Sequence, residues 1–96
     1  MMVLITYDVN TTTAAGAARL RRVAKECTNH AQRVQNSVFE AALDWGTFVR
    51  LKASLSTLID PETDSLRFYY LGSKWKKRIE HIGAKPTYDP EGPIIL

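Results

Sequence analysis

The chain has one cysteine, Cys27, in 96 residues. That excludes an intrachain disulfide and any zinc site built on several cysteines. His30 and His81 lie far apart in sequence and add no zinc-ligand spacing, so Cys27 reads as a small core residue. No uninterrupted apolar run reaches the length of a membrane span. The N-terminus lacks the basic region, apolar stretch and cleavage site of a signal peptide. The expectation is a cytoplasmic protein with no membrane attachment. The common catalytic signatures are missing too: no phosphate-binding Walker loop, no G-x-G-x-x-G, no H-E-x-x-H and no G-x-S-x-G elbow. Nothing marks Ser37 or Ser73 as a nucleophile, and His81 reads as structural.

What is present is ordinary for a soluble globular protein: 45% hydrophobic and 24% charged residues. The length suits one domain and not two. A domain of this size buries only about 60–65% of its unfolded surface, so its core is thin and a second copy would relieve it. Thirteen Lys and Arg stand against ten Asp and Glu, a formal charge of +3. That balance permits nucleic-acid binding without requiring it.

Residues 2–9 have strand composition and end in Tyr7-Asp8-Val9-Asn10, before a turn rich in threonine and glycine. Thr12 or Thr13 is placed to cap a helix running to about Thr28, with Ala17, Leu20, Ala24 and Cys27 on one face. Arg19, Arg21, Arg22 and Lys25 lie mostly off that stripe, as a solvated face or as a phosphate-contacting one. "RVQNSVFEAAL" (33–43) has strand composition. Asp44 caps a second helix that buries Phe48, Leu51, Leu55, Leu58 and Ile59, and "IDPET" stops it at Pro61. "SLRFYYL" (65–71) is a strand with Leu66, Phe68 and Tyr70 on one face. Residues 72–75 read as a turn and Lys77 to Ile82 as a strand, with a short helix as the competitor. The order β-α-β-β-α-β is the α+β, ferredoxin-like plan of four antiparallel strands with both helices on one face. Apolar residues on both strand parities predict a partner over the other face.

Asp8 is the best acidic candidate. On the residues alone it either ends the strand and satisfies turn N–H groups, or holds a metal. One carboxylate makes a poor magnesium site, but a two-fold dimer would bring a second Asp8 to the same axis.

The segments "VLITYDVN", "LRRVAK", "RVQNSVFEAAL", "LIDPETDSLRFYYL" and "HIGAKPTYDPEGPIIL" together resemble the CRISPR-associated protein 2 family, the small subunit of the spacer-acquisition machinery. "QNSVFE" followed at this spacing by "IDPETDSLRFY" is the most specific part, and the tail looks like the version that accompanies type I-C systems. The resemblance implies a ferredoxin-like homodimer with an added C-terminal strand. It places Asp8 at the acidic position by the dimer axis, as ligand to Mg2+ or another divalent ion such as Mn2+, with Tyr7 beside it as a catalytic candidate. It makes Arg22, Arg33 and Phe39 candidates for the family's basic and aromatic positions, and Ser37 part of the same strand motif. Relatives often carry basic residues where this chain has Ala14, Ala15, Ala17 and Ala18.

Two functions follow from the resemblance. One is a metal-dependent endonuclease acting on RNA or DNA. The other is a scaffold whose basic surface holds duplex DNA between copies of the CRISPR-associated integrase (protein 1). A ligand-binding regulatory domain follows from the fold plan alone. The adaptation scaffold is the main expectation, with intrinsic nuclease activity beside it and single-stranded RNA as a possible second substrate. Nucleic acid is expected on Arg19, Arg21, Arg22, Lys25 and Arg33, and on a second patch of Lys74, Lys76, Lys77 and Arg78. Residues 1–83 form the domain. Residues 84–96 form an extended tail ending in Ile94, Ile95 and Leu96, expected to add to the partner protomer and to meet the integrase.

Overall fold

The computed structural model describes residues 1–83. Four strands and two helices follow one another as β1 (Met2–Asp8), α1 (Ala14–His30), β2 (Gln32–Gln35), β3 (Val38–Ala42), α2 (Trp45–Leu58) and β4 (Ser65–Tyr70). The sheet order is β2-β3-β1-β4, and every pairing is antiparallel. This is the expected ferredoxin-like plan. The tail and its apolar residues Ile94, Ile95 and Leu96 lie outside the described residues.

Both helices start where a short polar side chain replaces a missing backbone partner. Thr13 accepts a hydrogen bond from the Gly16 N–H at 3.0 Å, and Asp44 accepts from the Thr47 N–H at 2.9 Å. Either bond satisfies an N–H that the helix itself leaves open. Thr47, first through its side-chain hydroxyl and then through its backbone N–H, also holds the Asp44 carboxyl below its usual range. Helix α1 buries Gly16, Val23 and Cys27, with Leu20 and Ala24 partly covered. Helix α2 buries Phe48, Leu51 and Leu55, with Leu58 and Ile59 packed against the core. Each fully buried Leu or Phe contributes about 1.5–3 kcal/mol. These faces cover Val3, Ile5 and Tyr7 of β1 and Phe39 and Ala41 of β3.

The opposite face carries Leu4 and Thr6, with their cross-strand neighbours Val38, Glu40, Tyr69 and Arg67. Strand residues alternate between faces, so no residue of this set can join the core. Tyr69 is exposed, and Leu4, Thr6 and Val38 are half-buried.

The segment 33–43 is a hairpin, and it supplies the two strands that the β-α-β-β-α-β order needs between the helices. Asn36 and Ser37 turn the chain, and the β2–β3 register shifts between Arg33 and Gln35. One expectation needs correction: Lys77 to Ile82 is not a strand. The chain makes one 3₁₀ turn at Trp75–Lys77, and residues 78–83 pair with nothing in the sheet. The central strand β1 already has β3 and β4 on its two sides. Gly72, at a φ of +76°, turns the chain away after β4, and the Arg78 Nη1 donates to the Leu71 carbonyl at 2.7 Å, closing the loop back on itself. That φ favours glycine.

Candidate nucleic-acid and metal site

The last residues of β1 face two ways. Tyr7 turns into the helix-covered side and is 6% exposed, while Asp8 is exposed. Adjacent strand residues point to opposite faces. The structure therefore does not bring the Tyr7 hydroxyl and the Asp8 carboxylate into one site, although the resemblance set them side by side.

Tyr7 belongs to a cluster at the end of the β2–β3 hairpin. Its ring stacks on Phe39 with centroids 6.1 Å apart, and its hydroxyl donates to the Asn36 carbonyl at 3.3 Å. Its backbone N–H donates to the Ser37 carbonyl at 3.2 Å. The Arg33 guanidinium sits 5.1 Å from the centroid of the Phe39 ring. Burial raises the Tyr7 pKa, and the nearby Arg33 works against that shift. Tyr7, Arg33, Ser37 and Phe39, scattered over the first 39 residues, thus meet at one corner. Phe39 is fully buried there and Arg33 is exposed. The corner holds the hairpin against β1 and presents one cation outward.

Asp8 pairs with Ser65 of β4 at the end of the sheet. Its carboxylate makes no hydrogen bond or ion pair among the described residues. Among those residues no group of three or more His, Cys, Asp or Glu side chains is gathered to hold a metal ion. One chain therefore offers a free, exposed carboxylate and not a finished cage. Magnesium keeps several waters and takes one or two carboxylates, so it would suit this position with a second Asp8 from a two-fold copy.

The basic residues divide. Arg21, Arg22 and Lys25 are exposed on α1. Arg19 is not available in the same way: its Nε donates to the Asp64 carboxylate at 2.9 Å, and that acid's side chain is wholly buried. Of the second group, Lys74 and Lys77 are exposed, Lys76 lies 5.5 Å from the Trp75 ring centroid, and Arg78 closes its own loop. Asp64, unremarked in the sequence, proves to be the one buried charged residue among those described. Its carboxyl is held well below the usual range, first by the Asp60 N–H and also by Arg19 and the Asn10 N–H.

The family model for CRISPR associated protein Cas2 matches residues 1–79. The chain belongs to that family. Along its whole length it is 57% identical to a protein of Chlorobaculum tepidum named CRISPR-associated endoribonuclease Cas2, covering all of that relative. It is also 57% identical over 96 residues, again covering the whole relative, to one of Halalkalibacterium halodurans named CRISPR-associated endonuclease Cas2. The crystal structure of Streptococcus pyogenes Cas2 at pH 6.5 superposes with a TM-score of 0.76 at 57% identity, covering 86% of this chain and 100% of that one. Family membership agrees with the resemblance carried by "QNSVFE" and "IDPETDSLRFY". Among the described residues no helix is long and apolar enough to cross a membrane.

Proposed function

We propose that the protein is a homodimeric, metal-dependent endonuclease of a CRISPR system that also serves as the duplex-holding scaffold of spacer acquisition. The observation that carries the nuclease reading is Asp8: a carboxylate at the end of the central strand, exposed and without a partner among the described residues. Full-length relatives with the names endoribonuclease and endonuclease support it. Asp8 would hold the ion, with a second Asp8 from a two-fold copy. When bound, Mg2+ or Mn2+ polarises a phosphate and lowers the pKa of its water. The chain's own part is to aim that carboxylate and to hold the phosphodiester on nearby cations. The half-buried Leu4, Thr6 and Val38 on the helix-free face favour a second copy there.

The scaffold reading is favoured by the exposed Arg21, Arg22 and Lys25 along α1. Such a row grips phosphates without reading bases. Partnership with the CRISPR-associated integrase follows from the family resemblance.

The experiment compares wild type with Asp8→Asn on duplex DNA and single-stranded RNA, in Mg2+, in Mn2+ and in chelator, and in spacer integration with the integrase. Cleavage by wild type alone, abolished by chelator, supports the nuclease reading. Equal cleavage by both proteins refutes it. Integration retained in Asp8→Asn supports the scaffold as a separate role, and no integration by wild type refutes that role.

A further inference from the structure

β1 leaves the sheet at Asp8, and the backbone beyond it is held by something other than a strand. The Asn10 N–H donates to Asp64 Oδ1 at 3.0 Å, across 54 residues of sequence. The same carboxylate accepts from Thr63 Oγ1 at 3.1 Å on Oδ1, and from Arg19 Nε and the Asp60 N–H, both at 2.9 Å, on Oδ2. The loop after Asp8, helix α1 and the turn before β4 therefore converge on one buried carboxylate. Asp64 is also the residue before Ser65, which pairs with Asp8.

The Asn10 peptide is gripped from its other end as well. A β-carbon built on Gly16 falls on the Asn10 carbonyl oxygen, far inside contact distance. Glycine is therefore required there by close approach of helix and loop, not by an unusual φ. The Asn10 side chain is used too: its Oδ1 accepts from the Thr12 N–H at 3.0 Å and from Thr12 Oγ1 at 2.7 Å. The N–H and side chain of Asn10 are hydrogen-bonded and its carbonyl lies close against Gly16, two residues after a carboxylate that has no partner among the described residues.

Resting on the metal reading of Asp8, we propose that Asp64 is a positioning residue for the metal. With Gly16 it clamps the Asn10 peptide and so fixes where the Asp8 carboxylate points. Asp64 touches neither ion nor substrate. Outer groups that orient a metal ligand typically set affinity or activity by about 10- to 100-fold. An asparagine at 64 keeps one acceptor oxygen but turns an NH2 toward donors, so the clamp opens without loss of side-chain volume.

The test is Mn2+ binding by titration calorimetry on wild type, Asp8→Asn, Asp64→Asn, Gly16→Ala and Leu55→Ala, each confirmed as folded by circular dichroism. Leu55 is a core residue of α2 and controls for lost stability alone. The expected result is an Mn2+ dissociation constant raised about 10-fold or more by Asp64→Asn, a weakening in the same direction by Gly16→Ala, and wild-type affinity in Leu55→Ala. Should Asp64→Asn not fold, Gly16→Ala carries the comparison. Wild-type affinity in Asp64→Asn or, failing that variant, in Gly16→Ala, with binding lost in Asp8→Asn, overturns the positioning role and leaves the metal reading standing. Leu55→Ala weakening Mn2+ as much as Asp64→Asn also overturns it. If wild type and Asp8→Asn bind Mn2+ alike, the metal reading itself fails and the clamp falls with it.

Discussion

Replacing Phe39 with alanine separates two roles that the family position alone leaves merged. As a contact to nucleic acid, Phe39 would be dispensable for folding. In the structure it is fully buried in β3, between Ile5 of β1 and Arg33 of β2, with the Tyr7 ring on it and the Arg33 guanidinium 5.1 Å from its centroid. Removing such a ring costs about 3–5 kcal/mol. At about 0.05–0.15 kcal/mol per residue, a chain of 96 residues has roughly 5–14 kcal/mol in all. With a urea dependence of about 1.5 kcal/mol per molar, the unfolding midpoint of Phe39→Ala should fall by about 2–3 M. Arg33→Ala removes a cation–π contact worth about 0.5–1 kcal/mol and a hydrogen bond to Tyr7 worth about as much, and should lower the midpoint by about 1 M. Fluorescence-monitored urea unfolding measures both. A midpoint for Phe39→Ala within about 0.5 M of wild type, together with lost nucleic-acid affinity, would refute the packing role.

Three further outcomes are expected. Asp64 has a lowered pKa in the folded protein. Its contribution to stability is therefore complete above the unfolded carboxyl range near about 4 and is lost as pH falls below it; urea midpoints between pH 2 and 6 should drop for wild type and stay flatter for Asp64→Asn. Arg22→Ala should reduce the slope of log affinity for duplex DNA against log salt by about one, with an unchanged urea midpoint, whereas Arg19→Ala should lower the midpoint, because Arg19 is tied to a buried acid; equal behaviour of the two variants would contradict that division. The Cys27 thiol, pushed up to about 12 chiefly by burial, should resist iodoacetamide in the native protein and react only in denaturant; rapid native labelling followed by mass spectrometry would show the α1 core to be open.

The framework was legible because its signals are local. Thr13 and Asp44 announce helix starts within three residues, and Pro61 announces a stop. The apolar spacing of α2 predicts its buried face, whereas on α1 it finds Leu20, Ala24 and Cys27 but misses Val23 and includes Ala17, which stays outside the core. What stayed hidden depends on distance. Asp64 sits in a turn-like stretch, "IDPETDS", where an acid is unremarkable, and its partners Arg19 and Asn10 are 45 and 54 residues away. The same long-range bond withdraws Arg19 from a basic face that its sequence neighbours share. The strand expected at Lys77 to Ile82 had a suitable composition, but the sheet offers a strand only its two edges, and Gly72 and Arg78 fold the chain away from the nearer one. Tyr7 and Asp8 are neighbours in sequence and, because of the strand's alternation, belong to opposite faces of the sheet.

The placement of β1 in the middle of the sheet has a consequence during synthesis. This strand leaves the ribosome before both of its neighbours: β3 begins at Val38 and β4 at Ser65. Until they emerge, its apolar residues have no ladder to join, while α1 needs only nearby residues to form its turns. The carboxylate that secures the Asn10 backbone is made 54 residues after it. At about 5–20 residues per second that is a wait of about 3–11 s. Asp8 is thus made well before the residue that sets it in place, and a chain halted before Asp64 carries the acid on an unanchored strand end.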